Sequence, residues 1–349
     1  NGTLINNGAN YIAQSGTVSA ELSGTAGLTK SNFGDSPSNS TLILSGANTY
    51  TGGTILQAGT LELDGGDNRL PTTGDVRITG GVLDLGGNSQ TTSGALSIQG
   101  GTVENGTIIK SGAAYDARAG LVAAVLDGAV GLNKTTDDML TLIAANTYTG
   151  GTTIAAGTLQ LNGGNNRLAT TGNITITGGV LDFALDSQST SGAVSFQGGE
   201  VRNGTIIKSG AAYDGQAGIV SANLQGAVGL TKTATGTLTL NGVLTYTGVT
   251  DVQAGTLQIN STGTTALSTV TGASAGTLGI GDGLISTTIT ADSVSVGSLR
   301  IAAGSKLTIN AITGGALSST LSPVPEPSAL LMLSIAALGL IWAAWRRKR

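Results

Sequence analysis

NGTIIKSGAAYD at residues 105–116 recurs letter for letter at 203–214, an offset of 98. NTYTGG at 48–53 recurs at 146–151 with the same offset, and Tyr246-Thr247-Gly248 continues the register. The opening stretch, NGTLINNGANY at 1–11, reads as a further copy joined through a longer connection containing Phe33-Gly34-Asp35-Ser36-Pro37. Repetition at a fixed period means that one supersecondary unit is stacked several times.

A shorter beat runs inside each long repeat. Apolar pairs flank a single polar residue at Leu61-Glu62-Leu63, Leu83-Asp84-Leu85, Leu159-Gln160-Leu161 and Leu257-Gln258-Ile259. This period-2 alternation is the mark of a half-buried strand. The pairs Leu42/Leu44, Leu61/Leu63 and Leu83/Leu85 are followed by Leu140/Leu142, Leu159/Leu161 and Leu181/Phe183. Towards the end the step settles at 21 residues, with Leu257, Leu278 and Leu299 in parallel with Ile259, Ile280 and Ile301. Gly-Gly, Asn-Gly and Thr-Gly turns punctuate the strands. The expected fold is all-β: a right-handed parallel β-helix over 1–321, with repeats of 98 residues built from coils of 19–22. About 16 rungs at ~4.8 Å spacing would result. A β-propeller fits poorly, because its blades repeat at about 40–50 residues.

Composition narrows the function. The chain has 349 residues with 57 Gly, 5 Pro and neither Cys nor His, and only 10% is charged. It therefore holds no Ser–His–Asp triad, no cysteine nucleophile, no imidazole acid–base group and no zinc or haem site of the usual kind. Net charge is −4, and Arg346, Arg347, Lys348 and Arg349 alone carry +4, so the other 345 residues sum to −8. That balance argues against a nucleic-acid partner.

The composition changes after Leu321. Residues 322–328, Ser-Pro-Val-Pro-Glu-Pro-Ser, hold three of the five prolines and form a linker that breaks strand and helix. Residues 329–345 carry no charge and read as one transmembrane helix, ~25 Å long and at the short end for crossing a bilayer. Trp342 and Trp345 lie at its basic end, where an aromatic belt belongs, and the cluster 346–349 is expected to stay cytoplasmic.

Two resemblances converge on these residues. Gly229-Leu230-Thr231-Lys232-Thr233 through Gly236-Thr237-Leu238-Thr239-Leu240 to Ala254-Gly255-Thr256-Leu257 resembles the autotransporter-associated β-strand repeat. Related copies run from Leu28-Thr29-Lys30 to Ala58-Gly59-Thr60-Leu61 and from Lys134 to Ala156-Gly157-Thr158-Leu159. The resemblance implies a passenger-type β-helix of a large bacterial surface protein. The tail, with Val324-Pro325-Glu326-Pro327, an apolar stretch and a basic end, resembles a PEP-CTERM sorting signal. That implies a Gram-negative envelope protein, processed near Pro-Glu-Pro by an exosortase and passed from the inner membrane to the surface or extracellular matrix. Nothing in the chain resembles the aromatic-rich barrel that ends an autotransporter. The chain opens mid-repeat without a signal peptide, and we expect a fragment of a longer exported protein.

Parallel β-helices also host polysaccharide lyases and hydrolases, so carboxylates need weighing. Glu62, Asp64 and Asp67 lie close together, yet their counterparts are Gln160, Asn162 and Asn165, which cannot serve as acid or base. Alternation turns Asp84 and Asp182 outward, and Arg69 and Arg167 share the phrase NRL; a surface ion pair between such groups contributes little. Asp137-Asp138 falls opposite Thr235-Gly236 in the next copy, which favours a solvated turn over a calcium contact. The tyrosines fall in two registers, Tyr11, Tyr115, Tyr213 and Tyr50, Tyr148, Tyr246. We expect rings packed inward with hydroxyls at the rim rather than a sugar-stacking stripe. Asn48 and Asn146 are expected to bond turn backbone. The Gly-Gly pairs at 80–81, 100–101, 178–179 and 198–199 precede strands, so they are not phosphate loops.

The expectation is a non-enzymatic surface or matrix protein, an adhesin or spacer. It needs no cofactor or metal, and its partners are an exosortase, extracellular polysaccharide or neighbouring cells, and the membrane. The alternative is a β-helix polysaccharide lyase or hydrolase.

Overall fold

The computed structural model describes residues 2–32 and 40–310. The sorting residues Val324–Pro327, the apolar stretch 329–345 with Trp342 and Trp345, and the basic cluster 346–349 lie outside the described residues. Every helix or strand among the described residues is a strand, and every pairing given below is parallel. No helix among them is long and apolar enough to cross a membrane. The chain forms two compact units, Asn1–Ile207 and Lys208–Arg349, and together they hold about 15 solenoid turns.

In the first unit the chain builds three parallel ladders. One runs through Gly16–Val18, Thr41–Leu44, Thr60–Leu63 and Val82–Asp84. A second runs through Tyr11–Ala13, Leu28–Lys30, Thr54–Leu56 and Val76–Ile78. Ser89–Thr92, Thr107–Lys110 and Val125–Asp127 make the third. The register explains the apolar beat: Leu42 pairs with Leu61, Leu61 with Leu83, and Leu83 with Val103, all buried. These steps are 19, 22 and 20 residues, whereas Gly16 to Leu42 takes 26, the longer connection expected around Phe33–Pro37.

The second unit repeats the scheme. Leu238 pairs with Leu257, Leu257 with Leu278, and Leu278 with Leu299, so the 21-residue step is one coil. Each such leucine contributes about 1.5–3 kcal/mol by leaving water. In its last coils the strands lengthen, to Gly263–Gly272 and Thr287–Ser295, which pair along most of their length.

One turn shows how two copies solve the same geometry with different residues. In the first copy Gly86 and Gly87 hold left-handed φ values of 60° and 81°. In the second copy Ala184 and Leu185 occupy the corresponding turn at 49° and 80°. A non-glycine residue in this region costs about 1–2 kcal/mol, and Leu185 recovers nothing by burial because 86% of it is exposed. Leu185→Gly should therefore raise stability by about 0.5–1 kcal/mol after the entropic cost of glycine. Chemical denaturation of the two forms measures this, and a lower midpoint for the glycine form would contradict the strain argument.

Candidate functional site

Two of the three carboxylates that stand close together in the sequence, Asp64 and Asp67, act as backbone acceptors. Asp64 Oδ1 accepts the N–H of Gly65 at 2.7 Å, and Asn162 Oδ1 accepts that of Gly163 at the same distance. Asp67 Oδ1 takes the Ser89 N–H at 2.8 Å, and Asn165 Oδ1 takes the Ser187 N–H at 2.9 Å. An amide oxygen does the same work as a carboxylate oxygen here, so the role needs no ionisable group. Asn48 and Asn146 bond turn backbone as expected: each accepts from a buried N–H, of Leu22 and Leu126, and donates to a carbonyl one coil on, of Arg69 and Arg167.

The outward column that reads Glu62, Asp84, Glu104 on successive coils reads Gln160, Asp182, Arg202 in the second copy. Asp84 is half-buried and accepts the Gly86 N–H. Asp182, expected to face outward like Asp84, is instead buried at 6% exposure. Arg202 covers it at 3.0 Å, and Asn203 Nδ2 and the Ala184 N–H complete its shell. Burial alone would raise its carboxyl, but these donors outweigh that and hold it below the ordinary carboxylate value. The arginines of the NRL phrases do not join these carboxylates. Arg69 donates to Gly65 O and Gly66 O, and Arg167 to Gly164 O and Ile143 O. Asp137 and Asp138 are exposed, and no group of three potential metal ligands occurs among the described residues.

Five of the tyrosine rings turn inward as expected, but Tyr50, Tyr115, Tyr148, Tyr213 and Tyr246 are buried with their hydroxyls rather than holding them at the rim, and Tyr11 is half-buried. Tyr50, Tyr148 and Tyr246 share hydrogen bonds with the buried hydroxyls of Thr54, Thr152 and Thr250 at 2.6, 2.6 and 2.8 Å. Tyr115 and Tyr213 donate to the carbonyls of Asp127 and Gln225. Tyr115 packs against Tyr148 at 6.2 Å between ring centres, and Tyr213 against Tyr246 at 6.1 Å. Buried rings of this kind hold the core and offer nothing to a sugar.

Sequence reasoning missed the five lysines of the interior. Lys30, Lys110, Lys134, Lys208 and Lys232 are all 0–1% exposed. Lys30 Nζ donates to Asn32 Oδ1 at 3.0 Å, Ser40 Oγ at 3.2 Å and Ala58 O at 3.0 Å. Lys134 Nζ donates to Thr136 O and, at 3.2 Å, to Ala156 O; Lys232 Nζ donates to Ala234 O and, at 3.1 Å, to Ala254 O. Lys110 Nζ reaches Gly94 O at 2.7 Å. The signal was the alternation itself: each lysine stands two places after an inward Leu or Ile, in Leu28-Thr29-Lys30 as in Ile108-Ile109-Lys110.

Burial pushes these amines below their ordinary value of 10.5, with Asp137 and Asp138 pulling Lys134 partly back. It pushes the hydroxyls of Tyr50, Tyr115, Tyr148 and Tyr213 well above 10.0, and that of Tyr246 up to about 12. The two sets act in opposite directions on stability. A lysine lowered in the folded state adds stability as pH climbs from its folded value towards 10.5. A buried tyrosine withdraws stability above 10.0, where the unfolded phenol ionises. Stability should rise on the alkaline side, turn over at about pH 10 and fall steeply beyond it. Denaturant midpoints between pH 7 and 11 measure this, and a steady fall from pH 8 upward would contradict it.

Comparison with known proteins adds to this geometry. Residues 39–63, 132–161 and 230–259 match the passenger-associated-transport-repeat, and residues 323–348 match the PEP-CTERM protein-sorting motif. An adhesin, the BmaC autotransporter of Brucella suis biovar 1 (strain 1330), is 30% identical over 202 residues. The match covers 58% of this chain and 5% of that protein. No solved structure matches. The sorting motif implies a cell-surface protein processed by an exosortase. The chain carries three passenger-associated transport repeats and a PEP-CTERM sorting motif, and it is distantly homologous to an autotransporter adhesin.

Proposed function

We propose that the chain is a non-enzymatic structural protein or adhesin of the bacterial surface or extracellular matrix. In this reading 1–321 is the working solenoid and 322–328 the processing linker. Residues 329–345 hold the inner membrane until processing, with Trp342, Trp345 and the cluster 346–349 marking its cytoplasmic side. One observation carries the non-enzymatic part: where the first copy has Asp64 and Asp67, Asn162 and Asn165 make the same backbone bonds. A site whose acids can be exchanged for amides without loss of contacts is built for support. Outward residues such as Asn133, Thr153 and Thr175 stand in register on successive coils. Many weak contacts of one kind, repeated along a polysaccharide, add up through effective concentration.

The alternative, cleavage of envelope or matrix polysaccharide, rests on the stacked carboxylates Glu62, Asp84 and Glu104. Two measurements separate the readings. The protein, tagged within the solenoid, should reach the surface or medium shortened at its C-terminus. With Glu326→Ala and Pro327→Ala together it should stay full length in the inner membrane. Unprocessed protein in both cases would overturn sorting. Purified protein should bind the producer's exopolysaccharide without releasing reducing ends or unsaturated sugars; release abolished by Glu62→Gln would establish the enzyme instead.

A further inference from the structure

A repetitive solenoid has a specificity problem. Its inward columns are filled by interchangeable leucines and isoleucines, so a coil displaced by one full turn keeps its apolar contacts. Burial of apolar surface therefore does not say which coil stacks on which.

The interior lysines are where the columns stop being interchangeable. In the column through Lys30, the neighbours are Ala13 before and Leu56 after. In the column through Lys232 they are Gly215 before and Val252 after. Lys134 has Ile154 after it, and the buried Ala117 follows Asp116, the partner of Asn133. A small residue, Ala or Gly, thus stands on the coil before each of these lysines, although a Cβ at Gly215 would meet Leu238 first. On the following coil the ammonium meets the carbonyl of Ala58, Ala156 or Ala254. The next residue, Gly59, Gly157 or Gly255, holds a left-handed φ of 70°, 63° or 66°. A Cβ there would collide with Lys30 Nζ at Gly59, with Thr136 O at Gly157, or with Ala234 O at Gly255. Elsewhere the same inward column carries Ile78, Ile98, Ile176 and Phe196.

We propose that Lys30, Lys134 and Lys232 are register locks: each is accommodated only between a preceding coil with Ala or Gly in its column and a following coil with an Ala-Gly corner. Any other stacking takes the inter-coil carbonyl away from a buried ammonium and leaves it only the acceptors of its own coil, such as Thr136 O for Lys134 and Ala234 O for Lys232; a buried charge that loses an acceptor is strongly destabilising. Lys110 works in the opposite direction, since its Gly94 acceptor belongs to the preceding coil. The lysines are depressed in basicity by the same burial, so the lock is held at some expense of stability, as polar register-setting residues in coiled coils are.

The test uses the full chain with Lys134→Met, Lys232→Met and both together, each compared before unfolding and after refolding from denaturant. Hydrogen exchange of residues 152–161 and 250–259 is followed by mass spectrometry. The expected result is native protection before unfolding, and after refolding a second, differently protected population at least several-fold more abundant than in the unaltered chain. The double variant should show more of it than either single one. A single population at unaltered yield would overturn the proposal. So would single variants that lack protection before any unfolding, because the lysines would then be simple supports.

Discussion

Parallel stacking in strict register is the constraint on which the rest of this structure depends. Once Leu42 lies beneath Leu61 and Leu61 beneath Leu83, every inward position becomes a column shared by successive coils. No side chain in such a column can change size or polarity alone. Where Tyr50 enters the interior, Thr54 supplies a hydroxyl partner, and the same pairing recurs at Tyr148 with Thr152 and Tyr246 with Thr250. Gln90 and Gln188 are buried because each reads both backbone groups of one leucine, Leu70 and Leu168 respectively. Polar atoms inside are satisfied largely by backbone of the same or adjacent coil, which ties local sequence to inter-coil geometry.

Much of the fold was legible because the alternation is so regular. Leu257, Leu278 and Leu299 could be aligned on paper, and the ladder pairs them. The lysines were written in the same alternation, but a general expectation that lysine stays outside obscured them. Alternation was the better guide, since it reports backbone geometry, whereas the expectation about lysine assumes an interior without spare carbonyls. Asp182 illustrates the opposite limit. Its strand position turns it outward, and Arg202 and Asn203, one coil later, close over it. Burial of that kind depends on residues a coil away, and the local pattern carries no trace of it.

The outer surface follows another logic. Outward residues are released from the column rule, and the two copies differ there most plainly: Glu62 becomes Gln160, and Glu104 becomes Arg202. The inner scaffold meanwhile keeps its lysines, tyrosines and asparagine acceptors at the same places. A catalytic site would reverse this pattern on at least one face, holding a constellation of ionisable groups in fixed geometry. What the two copies hold fixed is the means of stacking coils, which is the observation on which the non-enzymatic reading proposed above rests.

A chain without cysteine cannot fix its coils by covalent links, and one with so few charges has little surface electrostatics with which to choose partners. Its columns of leucine on leucine make the coil one turn away nearly as attractive as the right neighbour in apolar terms. Specificity must then come from groups whose mispairing is expensive, and an ammonium inside the solenoid is the most expensive group available to this composition. The repeats matched as passenger-associated carry that group at Lys134 and Lys232, together with the glycine corner that receives it. The motif is thus intelligible as physics: a lysine inside, a carbonyl on the next coil, and a turn that only glycine can make close enough to receive it.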